Sequence, residues 1–265
     1  MNEVNRTLYI PLYGKAYVSR KGLFLEDKKA EEIWEREAFA LSHKAKSKWL
    51  AYYMGIRAAV FDDWLRSQME RRKAAIILHI GCGMDARVLR VGTRGHRWYD
   101  VDLPDVIRER KRYYEESDSY HMLAGNVKKE SWLEDIPETG NVIVVLEGVS
   151  MYLTADELRS LFARLSARYE KVSILMDSYT QWGARMSRIK NPVREVGVSQ
   201  VYGLDQPETL ETGALIWLWE HEMTPQRFVD ELRGAERFIF QKLYAGKISR
   251  KIYRMYEFEK SAGTL

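Results

Sequence analysis

The chain of 265 residues is 46% hydrophobic and 30% charged, a composition typical of a soluble globular protein with one large domain or two small ones. Its formal net charge of +4 is too small, without a clustered basic patch, to indicate a nucleic-acid-binding protein. Its single cysteine, Cys82, excludes an intramolecular disulfide and a zinc site built from several cysteines.

The first 73 residues predict a helical cap. Residues 30–39 are rich in helix-forming residues, and residues 49–69 repeat apolar side chains near the helical period of 3.6 residues. The segment also contains many Tyr and Trp residues, which we expect to pack against the body of the protein.

Residues 74–179 predict the cofactor-binding core of an α/β sheet. Short apolar runs, each the length of a strand, alternate there with helical segments, which is typical of a doubly wound, mostly parallel sheet. One helix should begin after Thr154, because Glu157 follows at the spacing of a capping box. The predicted strands are residues 75–80, 96–102, 119–127, 141–149 and 172–179.

The rest of the chain departs from this alternation. Residues 180–222 contain several Gly and Pro residues and predict a helix with loops, inserted as a second cap element. Thr224 is the predicted N-cap of a helix at 224–233. Residues 238–244 and 250–260 predict two closing strands that pair antiparallel at the sheet edge. Residues 223–265 would thus complete a single domain of residues 1–265.

Glycine, amide and acidic residues lie where the predicted strands end. Gly81 and Gly83 follow the first strand, Asp102 ends the second, Asn126 follows the core of the third and Glu147 that of the fourth. Because ligands of open α/β sheets bind outside the carboxyl ends of the strands, these residues should line one crevice.

The turn after the first strand is compatible with more than one nucleotide ligand. Gly81, Gly83 and Ala86 satisfy the dinucleotide fingerprint, so NAD is one candidate. Asp85 lies where a pyrophosphate would need the start of a helix free of negative charge, which favours S-adenosylmethionine, a cationic nucleoside without phosphate. A Walker-type phosphate site is excluded, because no Lys-Ser or Lys-Thr pair follows the glycines.

Four segments in register carry a family resemblance. They are LHIGCGMDARVLR at 78–90, WYDVDLPDVIRER at 98–110, YHMLAGNVKKESWL at 120–133 and VVLEGVSMYLTADEL at 144–158. They resemble the leucine carboxyl methyltransferase family, closest to its bacterial branch, which resembles a polyketide O-methyltransferase. The resemblance covers about residues 1–180. It implies a Rossmann-like class I methyltransferase fold, S-adenosylmethionine as methyl donor and S-adenosylhomocysteine as product.

The resemblance also implies roles for individual residues of the donor site. Lys15 and Arg57 would lie near the carboxylate of the methionine part, which Gly81 and Gly83 would line. Asp102 would bind the ribose hydroxyls, Asn126 and Val127 would frame the adenine, and Glu147 would face the amino-acid end. Asp100, which points the same way along the strand as Asp102, is an alternative ribose ligand.

The implied activity is that of an O-methyltransferase that acts on a carboxylate or hydroxyl of a small polyketide-like, aromatic or acidic metabolite. The catalytic residue stays unknown: no His or Asp is identified as a general base, which favours a carboxylate or an acidic phenol as acceptor. Methylation of a protein C-terminal carboxylate or of a modified tRNA side chain is an alternative. A non-catalytic cofactor-binding module is another.

The acceptor should bind between the N-terminal cap and the 180–222 insertion. The candidate lining residues are all aromatic: Tyr9, Tyr13, Tyr152, Tyr179, Tyr202, Trp217 and Trp219.

No metal site is expected. A polar N-terminus, and no apolar run near the ~20 residues that span a bilayer, predict a cytoplasmic protein without membrane contact.

Overall fold

The structure is a computed structural model that describes residues 8–37, 45–138, 140–190 and 201–260. Within these residues one seven-stranded sheet has the order β3-β2-β1-β4-β5-β7-β6. The strands are β1 (Ile76–Ile80), β2 (Arg97–Asp102), β3 (Tyr120–Ala124), β4 (Asn141–Leu146), β5 (Lys171–Tyr179), β6 (Ile216–His221) and β7 (Tyr253–Lys260). Strands β1 to β5 are parallel, whereas β7 pairs antiparallel with both β5 and β6. The doubly wound, mostly parallel sheet with an antiparallel C-terminal pair is therefore confirmed.

The centre of the sheet positions the ligand crevice. Strands β1 and β4 are neighbours and are almost completely buried, as expected for apolar runs covered on both faces. The chain leaves β1 toward β2 on one side and later returns to β4 on the other side. Such a reversal opens a crevice at the carboxyl ends of the two strands.

Helices cover both faces of the sheet. The N-terminal ones are α1 (Tyr9–Arg20), α2 (Lys28–Glu37) and α3 (Lys48–Arg71), which agrees with the helical cap predicted for this part of the chain. They are followed by α4 (Arg87–Val91), α5 (Pro104–Arg110), α6 (Ala155–Arg168), α7 (Gln181–Lys190), α8 (Gln226–Val229), α9 (Gly234–Leu243) and α10 (Gly246–Ile252). Among the described residues no helix is both long and apolar enough to cross a membrane.

Helices α1 and α3 cross at a glycine. A Cβ atom added to Gly55 would lie 2.7 Å from Cγ2 of Val18, a shorter distance than Cβ atoms in proteins show to non-bonded neighbours. The absence of a side chain at Gly55 therefore lets the two helices approach. This close packing fixes α1 on α3, and both helices carry residues of the site described below.

The capping prediction at Thr154 is confirmed. The backbone N–H of Glu157 donates to the Thr154 hydroxyl at 3.2 Å, and the Glu157 carboxylate accepts from the Thr154 N–H at 2.8 Å. The prediction at Thr224 was wrong: the helix is a single turn with Pro225 at the N-cap, and the Thr224 hydroxyl accepts from the N–H of Gly246 at 3.1 Å. A local helix signal at Thr224 is overridden by this tertiary hydrogen bond.

The strand predicted at 238–244 was also wrong, because this segment belongs to helix α9. Its alternating Phe238 and Phe240 mimic a strand, but Phe240 is fully buried against Tyr52 while Phe238 is 64% exposed. The true partner of β7 is β6, which lies inside the predicted insertion of 180–222. Strand β6 is a half-exposed edge strand with a bulge between Trp217 and Trp219, so its apolar pattern does not alternate with burial.

Candidate active site

A cavity of about 760 Å³ opens at the carboxyl ends of the central strands. One part of it, the strand-end half, is lined by residues that follow β1, β2, β3 and β4, together with side chains of α1 and α3. The strand-end half includes Lys15, Arg57, Gly81, Gly83, Asp102, Asn126, Val127 and Glu147. The structure thus brings together every residue predicted for the donor site.

The glycine turn after β1 forms the floor of the strand-end half. Gly81 and Gly83 adopt positive φ angles of 67° and 51°. The Gly81 N–H donates to the carbonyl of Val101 at 2.7 Å, which ties the turn to β2. A Cβ atom on Gly81 would lie 2.1 Å from Cγ2 of Val149, in the loop after β4. The turn therefore needs glycine both for its backbone conformation and for close contact with the neighbouring loop.

The two candidate ribose ligands have different surroundings. Asp102 lines the cavity, and its carboxylate accepts from the N–H groups of Gly83 at 2.8 Å and Leu103 at 2.7 Å. Burial raises the pKa of Asp102, against the effect of these two hydrogen bonds. Asp100 is fully buried and does not line the cavity; it accepts instead from Tyr120 at 2.7 Å and from Trp98 at 2.8 Å. Of the pair, only Asp102 can reach a ligand in this cavity.

The loop after β3 presents backbone and amide groups. The Asn126 side-chain oxygen accepts from the Lys128 N–H at 3.0 Å, and the Val127 carbonyl accepts from Arg164 at 2.7 Å. Gly125 packs against Trp132, where a Cβ atom would lie 2.6 Å from the Trp132 Cβ. These contacts fix the loop that carries Asn126 and Val127 at the cavity wall.

Glu147 is the centre of a buried ionic cluster. Two guanidinium groups bind its carboxylate: Arg57 of α3 at 3.0 Å and Arg87 of α4. Lys15 of α1 lies 4.0 Å from the same carboxylate. Although burial opposes ionisation, Lys15, Arg87 and Arg57 lower the pKa of Glu147 to about 2. The carboxylate is therefore ionised at neutral pH.

Asp85 belongs to the same cluster and already has protein partners. Lys15 lies 2.9 Å from its carboxylate, Arg90 at 2.7 Å and Arg87 at 3.4 Å. Burial opposes ionisation, but these cations hold the pKa of Asp85 well below its usual range. The prediction that Asp85 is a charge available to a cationic ligand was wrong, because protein cations already pair with it. Arg90 and Arg87 follow Asp85 in the same motif, so the pairing had a local signal.

A second carboxylate, Asp177 at the end of β5, extends the cluster toward the other part of the cavity. Arg57 donates to Asp177 at 3.1 Å, and the N–H of Gly148 donates to it at 2.7 Å. Burial raises the pKa of Asp177 to about 6, because the favourable effect of Arg57 is too small to offset desolvation and the charge of Glu147. Asp177 was not predicted as a site residue, since it lies inside β5 and not beyond the end of the strand.

The other part of the cavity, the aromatic half, lies between the N-terminal helices and residues 243–253. Its apolar wall includes residues of α1 and α3, and its aromatic side chains are Trp49, Tyr53, Tyr152, Tyr179, Tyr244 and Tyr253. No described residue of the 181–222 segment lines it, and residues 191–200 of that segment lie outside the described residues, so an acceptor pocket against the insertion stays a prediction.

Two of the predicted aromatic lining residues, Tyr152 and Tyr179, line the cavity. The others do not: Tyr9 is buried in the core, and Tyr13 packs on Trp34 with ring centroids 4.9 Å apart. Tyr202 binds Met151 through its backbone N–H at 2.9 Å. Trp217 and Trp219 lie on the edge strand β6. The face of α1 that lines the cavity carries Lys15 and apolar residues. Composition alone did not predict which face of this helix points toward the cavity.

Comparisons with known proteins identify the family of this chain. The family model described as leucine carboxyl methyltransferase matches residues 11–166. The tetracenomycin polyketide synthesis O-methyltransferase TcmP of Streptomyces glaucescens is 28% identical over 240 residues, which cover 89% of each chain. The S-adenosyl-L-methionine-dependent methyltransferase dpfgK of Gibberella zeae is 28% identical over 184 residues, covering 64% of this chain and 62% of the relative.

Solved structures share the fold at low sequence identity. Magnesium protoporphyrin IX methyltransferase of Synechocystis with bound S-adenosylhomocysteine superposes with a TM-score of 0.54 at 10% identity, covering 93% of this chain and 97% of the other. The same enzyme with bound S-adenosylmethionine gives a TM-score of 0.53 at 11% identity, with 88% and 90% covered.

The close contact at Gly81 predicts a specific loss of stability. Gly81→Ala adds the strain of a left-handed residue and a clash with Val149, each about 1–2 kcal/mol, and should lower the free energy of unfolding in urea accordingly. Gly22→Ala is the matched control, because Gly22 has a similar φ of 64° and no atom within 4 Å of an added Cβ. Equal losses in the two variants would contradict the proposed contact.

The raised pKa of Asp177 predicts a pH dependence of stability. A carboxyl whose pKa is higher in the folded state binds a proton on folding, so its contribution to stability grows as pH falls from about 6 toward 3.8. The difference in unfolding free energy between wild type and Asp177→Asn should therefore shift in favour of wild type over this range. The same change at the exposed Asp118 should leave the wild-type profile unaltered. A difference that does not vary with pH would refute the burial argument.

Proposed function

This chain belongs to the leucine carboxyl methyltransferase family and is an S-adenosylmethionine-dependent methyltransferase, and on that premise we propose that it methylates an oxygen atom of a small aromatic or acidic metabolite. The observation that carries the proposal is the single cavity that joins the strand-end half to an aromatic half. At about 760 Å³ it lies in the upper part of the usual range for ligand sites, ~300–1,000 Å³, which suits a donor and an acceptor bound together.

The residues of the strand-end half fit S-adenosylmethionine. Asp102 is held by two backbone N–H groups, which leaves oxygen lone pairs for the two ribose hydroxyls. The glycine turn permits close approach of a ligand to the backbone. In this proposal Asp102 binds the ribose, Asn126 and Val127 frame the adenine, and Gly81 and Gly83 line the methionine part.

The ionic cluster fits the zwitterionic end of the donor. Glu147 is an ionised partner for an ammonium group, while Lys15 and Arg57 are cations that suit a carboxylate. Binding of the amino-acid end would exchange part of the existing contacts, such as the one between Lys15 and Asp85 at 2.9 Å. The buried charges then keep partners in the loaded site, so no charge is left uncompensated.

When bound, S-adenosylmethionine supplies a methyl group on a positively charged sulfur, which an acceptor oxygen takes up by direct displacement. The contribution of the protein is to hold the acceptor in position and to exclude water. The polar side-chain groups of the described aromatic half are hydroxyl groups of Tyr and Ser and the indole N–H of Trp49, which is a donor only. Neutral hydroxyl groups are poor bases, which favours acceptors that are ionised before they bind, such as carboxylates and acidic phenols.

The donor assignment predicts the effect of Asp102→Asn. This variant keeps the shape of the side chain but weakens acceptance from the ribose hydroxyls, so the affinity for S-adenosylhomocysteine measured by calorimetry should fall about tenfold. Asp105→Asn is the matched control on the exposed side of the same segment. Wild-type affinity in Asp102→Asn, or tight binding of NADH by the wild-type protein, would overturn the donor assignment.

The acceptor class is tested with S-adenosylmethionine carrying a labelled methyl group. Incubation with 2-naphthoate, 2-naphthol and 2-naphthylamine should label the carboxylate or the phenol and leave the amine unlabelled, because the acceptor atom is oxygen. Labelling of the amine alone would contradict O-methylation. Labelling only of peptides that end in a free carboxylate would favour a protein substrate. If the protein binds the donor tightly but forms no S-adenosylhomocysteine with these probes or with cell extract, a non-catalytic binding module is favoured.

A further inference from the structure

A group of hydroxyls and charges lies where the two halves of the cavity meet. Tyr253 begins β7 and is paired in register with Tyr179 at the end of β5, and their rings are 4.6 Å apart in an edge-to-face arrangement. Tyr53 of α3 reaches the same place. Arg57 and Asp177 are near enough to influence the ionisation of Tyr253. The elements that form this group are thus α3, β5 and β7, all of which belong to the packed core.

Within this group the hydroxyl of Tyr253 is unsatisfied. Tyr253 is 4% exposed, and its buried hydroxyl makes no hydrogen bond of good geometry with a described residue, although it lies near enough to the Asp177 carboxylate to lower the pKa of that carboxyl. Its neighbours are already engaged: the Tyr53 hydroxyl lies 2.9 Å from that of Ser249, and Asp177 accepts from Arg57 and Gly148. Buried polar groups in native proteins are nearly always hydrogen-bonded. Among the described buried side chains without a partner, Tyr253 is the one that lines the cavity, so its hydroxyl is available to a ligand atom.

We propose that Tyr253 binds the acceptor, donating its hydroxyl hydrogen to the acceptor oxygen that lies at the junction of the two halves. This inference rests on the proposed function, because it names the residue that orients the acceptor at the same site. The occupant is an aromatic molecule with an oxygen substituent, since the walls beside Tyr253 are aromatic and apolar. Tyr253 exchanges no proton in this role.

The electrostatic surroundings are consistent with a donor. Burial raises the pKa of Tyr253 well above its usual value, and the charge of Asp177 adds to this effect. The hydroxyl therefore keeps its hydrogen at neutral pH and can donate it to a ligand. A tyrosinate that would act as a base is disfavoured at this position.

Binding of simple probes tests the proposal. The protein is loaded with S-adenosylhomocysteine and titrated separately with 2-naphthoate, 2-naphthol and naphthalene. The change in tryptophan fluorescence reports binding of each probe. Of 2-naphthoate and 2-naphthol, at least one should bind about tenfold more weakly to Tyr253→Phe than to wild type. The affinities of the variant for naphthalene and for S-adenosylhomocysteine should stay the same. Equal affinity of both proteins for the two oxygen-bearing probes would overturn the role of Tyr253, with the proposed function intact. Failure of wild type to bind S-adenosylhomocysteine would instead count against the proposed function.

Thermal stability gives a second readout that needs no acceptor. Tyr256 lies on the same strand, and its hydroxyl donates to the carbonyl of Leu204 at 3.1 Å. Tyr256→Phe should lower the Tm because it removes an internal hydrogen bond. Tyr253→Phe should leave the Tm unchanged or raise it, because the hydroxyl makes no internal hydrogen bond of good geometry. A Tm decrease in Tyr253→Phe as large as that of Tyr256→Phe would show an internal bond and overturn the proposal.

Discussion

The buried negative charge of Glu147 is the constraint on which the organisation of the site depends. A carboxylate at the end of a central strand is costly to bury unless cations compensate it. Three such cations reach Glu147 or its surroundings, and each comes from a different helix: Lys15 from α1, Arg57 from α3 and Arg87 from α4. Their attachment couples the N-terminal helices to the strand ends, so the cap is an integral wall of the cavity.

This arrangement also suits a ligand that carries charges of both signs. The cluster has alternative pairings: Lys15 lies 2.9 Å from Asp85 and 4.0 Å from Glu147, and Arg57 lies 3.0 Å from Glu147 and 3.1 Å from Asp177. A zwitterion can enter by replacing one contact with an equivalent one, without leaving a buried charge unpaired. A site in which each charge had only one partner would lose a full ion pair on binding.

The sequence predicted those features that follow from local pattern. The five parallel strands were identifiable from their length and apolar character, and the strand-end residues of the cavity from their positions. Lys15 and Arg57, which lie on helices, were predicted only through the family resemblance. The sequence could not predict interactions that depend on the relative placement of distant segments. Arg87 and Arg90 gave a local signal for pairing with Asp85, but the contact of Asp85 with Lys15, 70 residues earlier in the chain, had none. Helix α9 resembled a strand because its exposed and buried Phe residues alternate. The pairing of Asp177 with Arg57 of α3 likewise joins distant segments.

The two halves of the cavity differ in how firmly the fold determines them. The floor of the strand-end half is fixed by the sheet, because its residues lie at or just beyond the ends of paired strands and Gly81 leaves no room for a side chain. The aromatic half is formed by side chains on α1, α3 and residues 243–253, whose identity can change without breaking a strand ladder. Substitutions there alter the shape offered to the acceptor while Glu147 and its cations stay in place. Acceptor specificity can therefore diverge at little cost to donor binding. Tyr253 lies on strand β7 and lines the cavity, at the junction of the strand-end half and the aromatic half.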